Sequence, residues 1–111
     1  MTTALHAAAE SPAESMNLLR DMLEERFAVH TTRLTNLTVR RGLPGRSGYD
    51  AHTLELHAAA ERRGIAETAG ALRRMSEGTY GVCDGCDQPI PLGRLRTAPH
   101  ATRCTPCEAR R

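Results

Sequence analysis

The chain has 111 residues, a formal net charge of +2 and only three aromatic side chains. That charge gives no strong basic field of the kind nucleic-acid-binding domains carry, and no run of about 18 apolar residues is present to span a membrane. With so few large apolar side chains the chain can bury only a modest core, and small cores usually need a metal ion, a disulfide or a partner. The four cysteines are the candidates for that cross-link.

The first ten residues contain neither a basic segment nor a long apolar segment, so we expect no signal peptide. We predict that residues 1–10 form a flexible tail and that the protein is cytoplasmic. Thiols stay reduced in that compartment, and paired cysteines there are more often metal ligands than disulfides.

A first helix is predicted to begin at Ser11, which can cap it, with Pro12 in the first helical position and Glu14 completing a capping box. Apolar side chains then recur every three or four residues, which predicts one apolar stripe along about seven turns. We expect His30, which lies on this stripe, to be a packed histidine with its hydrogen bonds satisfied. The stripe consists of Met16, Leu19, Leu23, Phe27, His30, Leu34 and Leu37.

The first helix should end near Arg41, because residues 42–49 contain three glycines and one proline. A second helix is predicted to begin around Asp50, with either Asp50 or Ser47 as its N-cap. Gly78 should end this helix.

The second helix carries a stripe of smaller side chains, in which glycine and alanine would let the two helices approach closely. Two long helices of matching length, joined by a short turn, can bury their stripes against each other. The sequence therefore predicts an all-α antiparallel hairpin, or coiled coil, at residues 11–78 with its tip at 42–50. A monomer is favoured over a dimeric four-helix bundle. The second stripe is Ala51, Leu54, Ala58, Ile65, Ala69 or Thr68, Leu72 and Met75.

The cysteines form two Cys-x-x-Cys pairs separated by residues 87–103. Each pair directs two thiolates at one point, and two pairs complete the tetrahedron that Zn²⁺ prefers. Four protein ligands leave no position for water or substrate, so we predict one structural zinc ion and no catalysis at the metal. The ion belongs to a small zinc ribbon at residues 79–111, with a short β-hairpin or loop between the pairs. The predicted ligands are Cys83, Cys86, Cys104 and Cys107.

Two disulfides or an iron–sulfur cluster would also use four cysteines, but neither an oxidising compartment nor an electron-transfer context supports them. The chain also lacks a nucleophile–base pair at usable spacing and a phosphate-binding loop, so we predict that it is not an enzyme.

The segments around the cysteines are Gly78-Thr79-Tyr80-Gly81-Val82-Cys83-Asp84-Gly85-Cys86, Ile90-Pro91-Leu92-Gly93-Arg94-Leu95, Ala98-Pro99 and Cys104-Thr105-Pro106-Cys107. These segments resemble the DksA/TraR family of C4-type zinc fingers. The resemblance implies a non-catalytic transcription regulator that binds bacterial RNA polymerase, inserts the hairpin into the secondary channel and often acts together with ppGpp. The finger and the base of the hairpin would dock on the rim of the channel.

In the family the tip of the hairpin carries an Asp-x-x-Asp-x-Ala pattern, which this chain keeps only in part. Counting back from the finger, Asp50 matches the second acid, while Ser47 and His52 stand at the other two positions. Asp50 could also be simply a helix N-cap. The candidate arginines could also be side chains exposed to solvent or placed to interact with a helix dipole. The candidates for contact with polymerase are Asp50, Ala51, Arg46, Arg94 and Arg96.

Two other functions remain open from the sequence. The first is a zinc-ribbon protein that binds DNA or RNA directly, and the second is an adaptor whose hairpin binds a helix of another protein.

Overall fold

The computed structural model describes residues 11–41 and 50–110, so the predicted tail and most of the predicted tip, including Arg46 and Ser47, lie outside the described residues. Four helices occur within these ranges. None of them has the continuous apolar length that a membrane crossing requires. The helices are α1 (Pro12–Arg41), α2 (Ala51–Glu77), α3 (Leu92–Thr97) and α4 (Thr105–Ala109).

The predicted capping box begins α1. The Glu14 N–H donates to Ser11 Oγ at 3.1 Å, and the Ser11 N–H donates to Glu14 Oε1 at 3.0 Å. These bonds satisfy two N–H groups that a helix start otherwise leaves unpaired. The hydrogen bond from the Ser11 backbone holds the pKa of Glu14 below its ordinary value.

The start and end of α2 follow the same local chemistry. The Thr53 N–H donates to Asp50 Oδ1 at 2.7 Å, so Asp50 is the N-cap. At the other end Gly78 adopts φ +77°, a left-handed conformation in which glycine has no steric penalty. The Thr79 N–H donates to the carbonyl of Arg74 at 2.9 Å and so closes the last turn.

The two long helices run antiparallel. Residue pairs in contact across the interface show this, because the residue number falls along α1 as it rises along α2. Arg41 contacts Glu55 near the tip, and His30 contacts Glu61 further down. The predicted fold class, a helical hairpin followed by a small four-cysteine unit, is confirmed.

On α2 the buried stripe runs through Thr68, while Ala69 is exposed. The Thr68 hydroxyl donates to the Gly64 carbonyl at 2.8 Å, which satisfies this polar group inside the interface. On α1, Phe27 is 36% exposed although it belongs to the predicted stripe. Phe27 follows Leu19 and Leu23 at two successive steps of four residues, and each step turns the side chain by about 40° around the helix axis. Phe27 is therefore rotated by about 80° from Leu19 and lies at the edge of the interface.

His30 is packed against the backbone of the opposite helix. Its Nδ1 lies 2.7 Å from Glu61 Oε1. A Cβ built on Gly64 would lie 2.5 Å from the imidazole ring, so the ring occupies the space that a side chain there would need. The prediction of a packed and hydrogen-bonded histidine is confirmed, and so is the close approach that a glycine on this face allows.

One hydrophobic core joins the base of the hairpin to the cysteine-bearing segment. The Tyr80 hydroxyl lies in it and donates to the Pro99 carbonyl at 2.8 Å. Arg74 adds a second connection, from its guanidinium to the His100 carbonyl at 3.4 Å. The core residues are Leu19, Leu23 and Ala71 of the hairpin with Tyr80, Cys83, Ile90, Leu95, Ala101 and Cys107.

One β-bridge, Val82 to Pro89, encloses the first cysteine pair. Between the two pairs, where a β-hairpin or loop was predicted, the chain forms α3. Pro89 and Pro91 lack the N–H that a longer ladder needs, so the pairing stops after one bridge and the chain continues into α3.

Candidate metal centre

The ligand atoms of the four predicted cysteines lie within 4.8 Å of one another. Sulfur atoms held about 2.3 Å from a tetrahedral Zn²⁺ would lie about 3.8 Å apart. The distance from Cys104 Sγ is 3.7 Å to Cys83 Sγ and 3.9 Å to Cys86 Sγ. The donor set and its dimensions therefore fit a closed four-thiolate metal site, with no position left for a further ligand.

The first cysteine pair lies in a tight turn that the β-bridge closes. The Cys83 N–H donates to the Gln88 carbonyl at 2.8 Å, and the Asp87 N–H donates to the Cys83 carbonyl at 2.9 Å. Asp87 has φ +59°, a conformation that aspartate tolerates better than most residues. These constraints direct Cys83 and Cys86 to the same side of the turn.

The second pair uses the start of a helix. Cys104 is the N-cap of α4, and Cys107 lies in its first turn with 7% of its surface exposed. Three residues along a helix return a side chain to nearly the same face. The two thiols therefore point to the same place.

Gly85 is needed at the first pair because of space. A Cβ on this residue would lie 3.0 Å from both Cβ and Sγ of Cys107. Its backbone does not have a positive φ, unlike that of Gly81 at +84°. Backbone relaxation thus explains Gly81, whereas close approach of the two cysteine pairs explains Gly85.

Backbone donors favour a thiolate at Cys83. The N–H groups of Cys104 and Gly85 each donate to its Sγ at 3.3 Å. These bonds, with that from Cys104 the largest cause, lower the pKa of Cys83 to about 6.

Cys107 shows the opposite effect. The neighbouring sulfurs of Cys104 and Cys83 raise its pKa to about 12, because a further negative charge in this cluster is unfavourable. Four thiolates can share the site only when a cation offsets their charge.

The other predicted site residues lie apart from this cluster. Asp50 and Ala51 are exposed at the start of α2, and Arg96 is exposed on α3. Arg94 is partly buried, and its Nε donates to the Arg103 carbonyl at 3.0 Å, so it joins α3 to the segment before the second cysteine pair. Their contact with polymerase stays a prediction, as does that of Arg46.

No sequence pattern predicts the hydrogen bonds that Arg94 and Tyr80 make. Both side chains donate to backbone carbonyls, which every residue possesses, so no residue type at the partner position could reveal the pairing.

Residues 78–111 match the prokaryotic dksA/traR C4-type zinc finger family. The matched segment is about a third of the chain and contains all four cysteines. Over 104 residues it is 29% identical to general stress protein 16O of Bacillus subtilis strain 168, a match that covers 90% of this chain and 53% of that protein. It is 38% identical over 50 residues to the RNA polymerase-binding transcription factor DksA of Caulobacter vibrioides strain NA1000 / CB15N, covering 45% of this chain and 35% of that protein.

The chain thus spans about half the length of the first relative and about a third of the second. Among solved structures, the fold is similar to that of transcription factor DksA2 from Pseudomonas aeruginosa. The TM-score is 0.74 at 25% sequence identity, over 93% of this chain and 87% of that one. The likeness to DksA proteins therefore includes the hairpin as well as the finger.

Proposed function

We propose that this protein binds bacterial RNA polymerase as a monomer and regulates transcription, with the hairpin inserted into the secondary channel. The observation that supports this proposal best is the likeness to DksA2, because it extends over 93% of the chain and includes the hairpin. The match to the zinc-finger family and the likeness to the Caulobacter RNA polymerase-binding transcription factor point the same way. In this proposal the protein performs no catalysis.

We further propose that Cys83, Cys86, Cys104 and Cys107 hold one Zn²⁺ ion. When bound, the ion supplies charge compensation and a four-way cross-link, and it leaves no open coordination position for chemistry. The site lies in the core that connects the finger to the hairpin. Metal binding would therefore fix the orientation of the hairpin relative to the docking surface at its base.

Asp50 is the described tip residue best placed for a polymerase contact. Its Oδ1 caps α2 through Thr53, and this backbone hydrogen bond holds the pKa of the carboxyl below its ordinary value. The side chain is therefore ionised at neutral pH and fixed in direction. At the other end of the molecule, exposed Arg96 would contribute to docking, while Arg94 would act by holding the finger in shape.

The test uses zinc-loaded protein and purified core RNA polymerase. We expect direct binding, competition with other secondary-channel factors, and altered initiation in a transcription assay performed with and without ppGpp. Absence of binding at micromolar concentrations would refute the proposal. If the effect on initiation depends on ppGpp, then ppGpp is a co-regulator of the complex.

Asp50→Asn tests the tip separately from docking. Asparagine caps a helix as well as aspartate does, so the variant should keep its fold while losing the charge. We expect normal polymerase binding and a weaker effect on transcription. Asp21→Asn, which removes an exposed charge from α1, is the matched control. If Asp50→Asn regulates transcription as the wild type does, the tip acid is a cap only.

A further inference from the structure

A groove of about 410 Å³ lies between α1 and α2 in the half of the hairpin remote from the finger. Leu37 and Ala60 give it an apolar wall, and Arg33, Asn36 and Arg40 bring polar groups to its edge. Small-molecule sites combine an apolar wall with a few polar groups in this way, at volumes of about 300–1,000 Å³.

The two arginines lie two turns apart on α1, about 10 Å along its axis. Within the described part of the chain neither has a hydrogen-bond or ion-pair partner.

The carboxylates nearby already have partners. Glu61, which also lines the groove, is bonded to His30, and Glu55 is bonded to both Arg41 and Arg62. The electrostatic balance around the groove is therefore cationic, although the net charge of the whole chain is only +2. An anionic ligand would be attracted to this part of the hairpin.

We propose that this groove binds a nucleotide, with the phosphates on Arg33 and Arg40 and the base against Leu37 and Ala60. A guanidinium group pairs with phosphate oxygens through two parallel hydrogen bonds, and it can pair with the carboxylates of an acidic peptide in the same way. The apolar wall between the cations distinguishes the two ligands, because a flat base covers it and an acidic peptide leaves it in contact with water. The Asn36 amide can both donate to and accept from a base edge.

A free nucleotide and the end of an RNA strand offer this same chemistry. The inference does not depend on polymerase binding, because the groove belongs to the hairpin itself and can be tested in the isolated protein.

The experiment is a titration of ¹⁵N-labelled, zinc-loaded full-length protein, followed by NMR, with ATP, hexaadenylate RNA, inorganic phosphate and hexaglutamate as separate ligands. We expect ATP or the hexanucleotide to shift the backbone signals of Leu37 and Ala60 and the side-chain amide of Asn36. Inorganic phosphate should bind more weakly, because it leaves the apolar wall uncovered. Higher affinity for ATP would identify a free nucleotide as the ligand, and higher affinity for the hexanucleotide would identify a strand.

The double variant Arg33→Gln/Arg40→Gln should bind the preferred nucleotide at least about tenfold more weakly, since it loses two charge-assisted contacts. Glutamine keeps a good helix propensity, and both positions are exposed, so the variant should fold normally. Arg73→Gln removes an exposed arginine of α2 outside the groove and should bind as the wild type does. The proposal is wrong if no signal of the groove shifts, if the double variant binds normally, or if hexaglutamate binds as tightly as the nucleotides.

Discussion

Replacing Gly64 by alanine should destabilise the hairpin, although alanine is the better helix former. Helix propensity alone predicts a gain of about 1 kcal/mol in the free energy of unfolding. The new Cβ would, however, lie 2.5–2.6 Å from three atoms of the His30 ring, whereas ordinary contact begins at 3.4 Å. The ring must therefore move away, and it then loses its 2.7 Å contact with Glu61.

The size of the effect follows from these competing contributions. Overpacking costs about 1–3 kcal/mol, and loss of the hydrogen bond costs about 1 kcal/mol more. The propensity gain of about 1 kcal/mol offsets part of this, which leaves a net loss of about 1–3 kcal/mol. Urea unfolding of the zinc-loaded protein, followed by ellipticity at 222 nm, measures the change.

Gly70→Ala is the matched control, because a Cβ there would meet only the ends of two arginine side chains, at 3.4 and 4.0 Å. This variant should gain about 1 kcal/mol. In a His30→Ala background Gly64→Ala should also become stabilising, with a coupling energy of about 2 kcal/mol or more between the two sites. If Gly64→Ala behaves like Gly70→Ala in the wild-type background, the packing of His30 against Gly64 is not as described.

Three further predictions concern the finger. Gly85→Ala should lower zinc affinity in a competition with a chromogenic chelator, because its methyl group would lie 3.0 Å from Cys107 Sγ. Gly93→Ala is the control and should leave the affinity unchanged, because a Cβ there has nothing within 4 Å. Equal zinc affinities of the two variants would show that the site accommodates the methyl group at residue 85. Burial raises the pKa of Tyr80 above its ordinary value of 10.0, so its contribution to stability is complete below the unfolded pKa and is lost as pH rises through the folded one. Tyr80→Phe should remove the high-pH phase of a tyrosine absorbance titration at 295 nm. It should also lower the free energy of unfolding by about 1 kcal/mol, because the hydrogen bond to the Pro99 carbonyl is lost. An unchanged titration would show that the high-pH phase does not come from Tyr80. Removal of the metal with a strong chelator should reduce ellipticity at 222 nm, and added zinc should restore it, because the cysteines share one core with the hairpin. If the chelator leaves the ellipticity unchanged, the finger and the hairpin fold independently.

The hairpin could be predicted from the sequence because the signals that define it are local. A capping box at Ser11 and an aspartate cap at Asp50 specify their own hydrogen bonds within three residues, and these bonds are present. The buried face was harder to predict where neighbouring positions compete. Thr68 and Ala69 are about 100° apart on the helix, and only packing against α1 decides which of them is buried.

The cysteine cluster was predictable for a different reason. Metal ligation restricts both residue type and spacing, so two Cys-x-x-Cys pairs point to one arrangement. The contacts that attach the cluster to the hairpin have no such signature. Arg94 illustrates this: its position in the finger suggested a docking residue, but its Nε is committed to the Arg103 carbonyl. Exposed Arg96, two residues along the same helix, is the better docking candidate.

The two interpretations of Asp50 are compatible, and the structure explains how one side chain can serve both. The cap bond from Thr53 is made to Oδ1, and the residue is exposed, so the carboxylate can still accept a hydrogen bond from a partner. The hydrogen bond to Thr53 keeps the carboxyl ionised and limits its rotation, which lowers the entropy lost when it makes a second contact. A tip acid that also caps its helix would thus be a preorganised contact. For that reason Asp50→Asn, which preserves the cap and removes only the charge, separates the two roles, whereas Asp50→Ala would remove both at once.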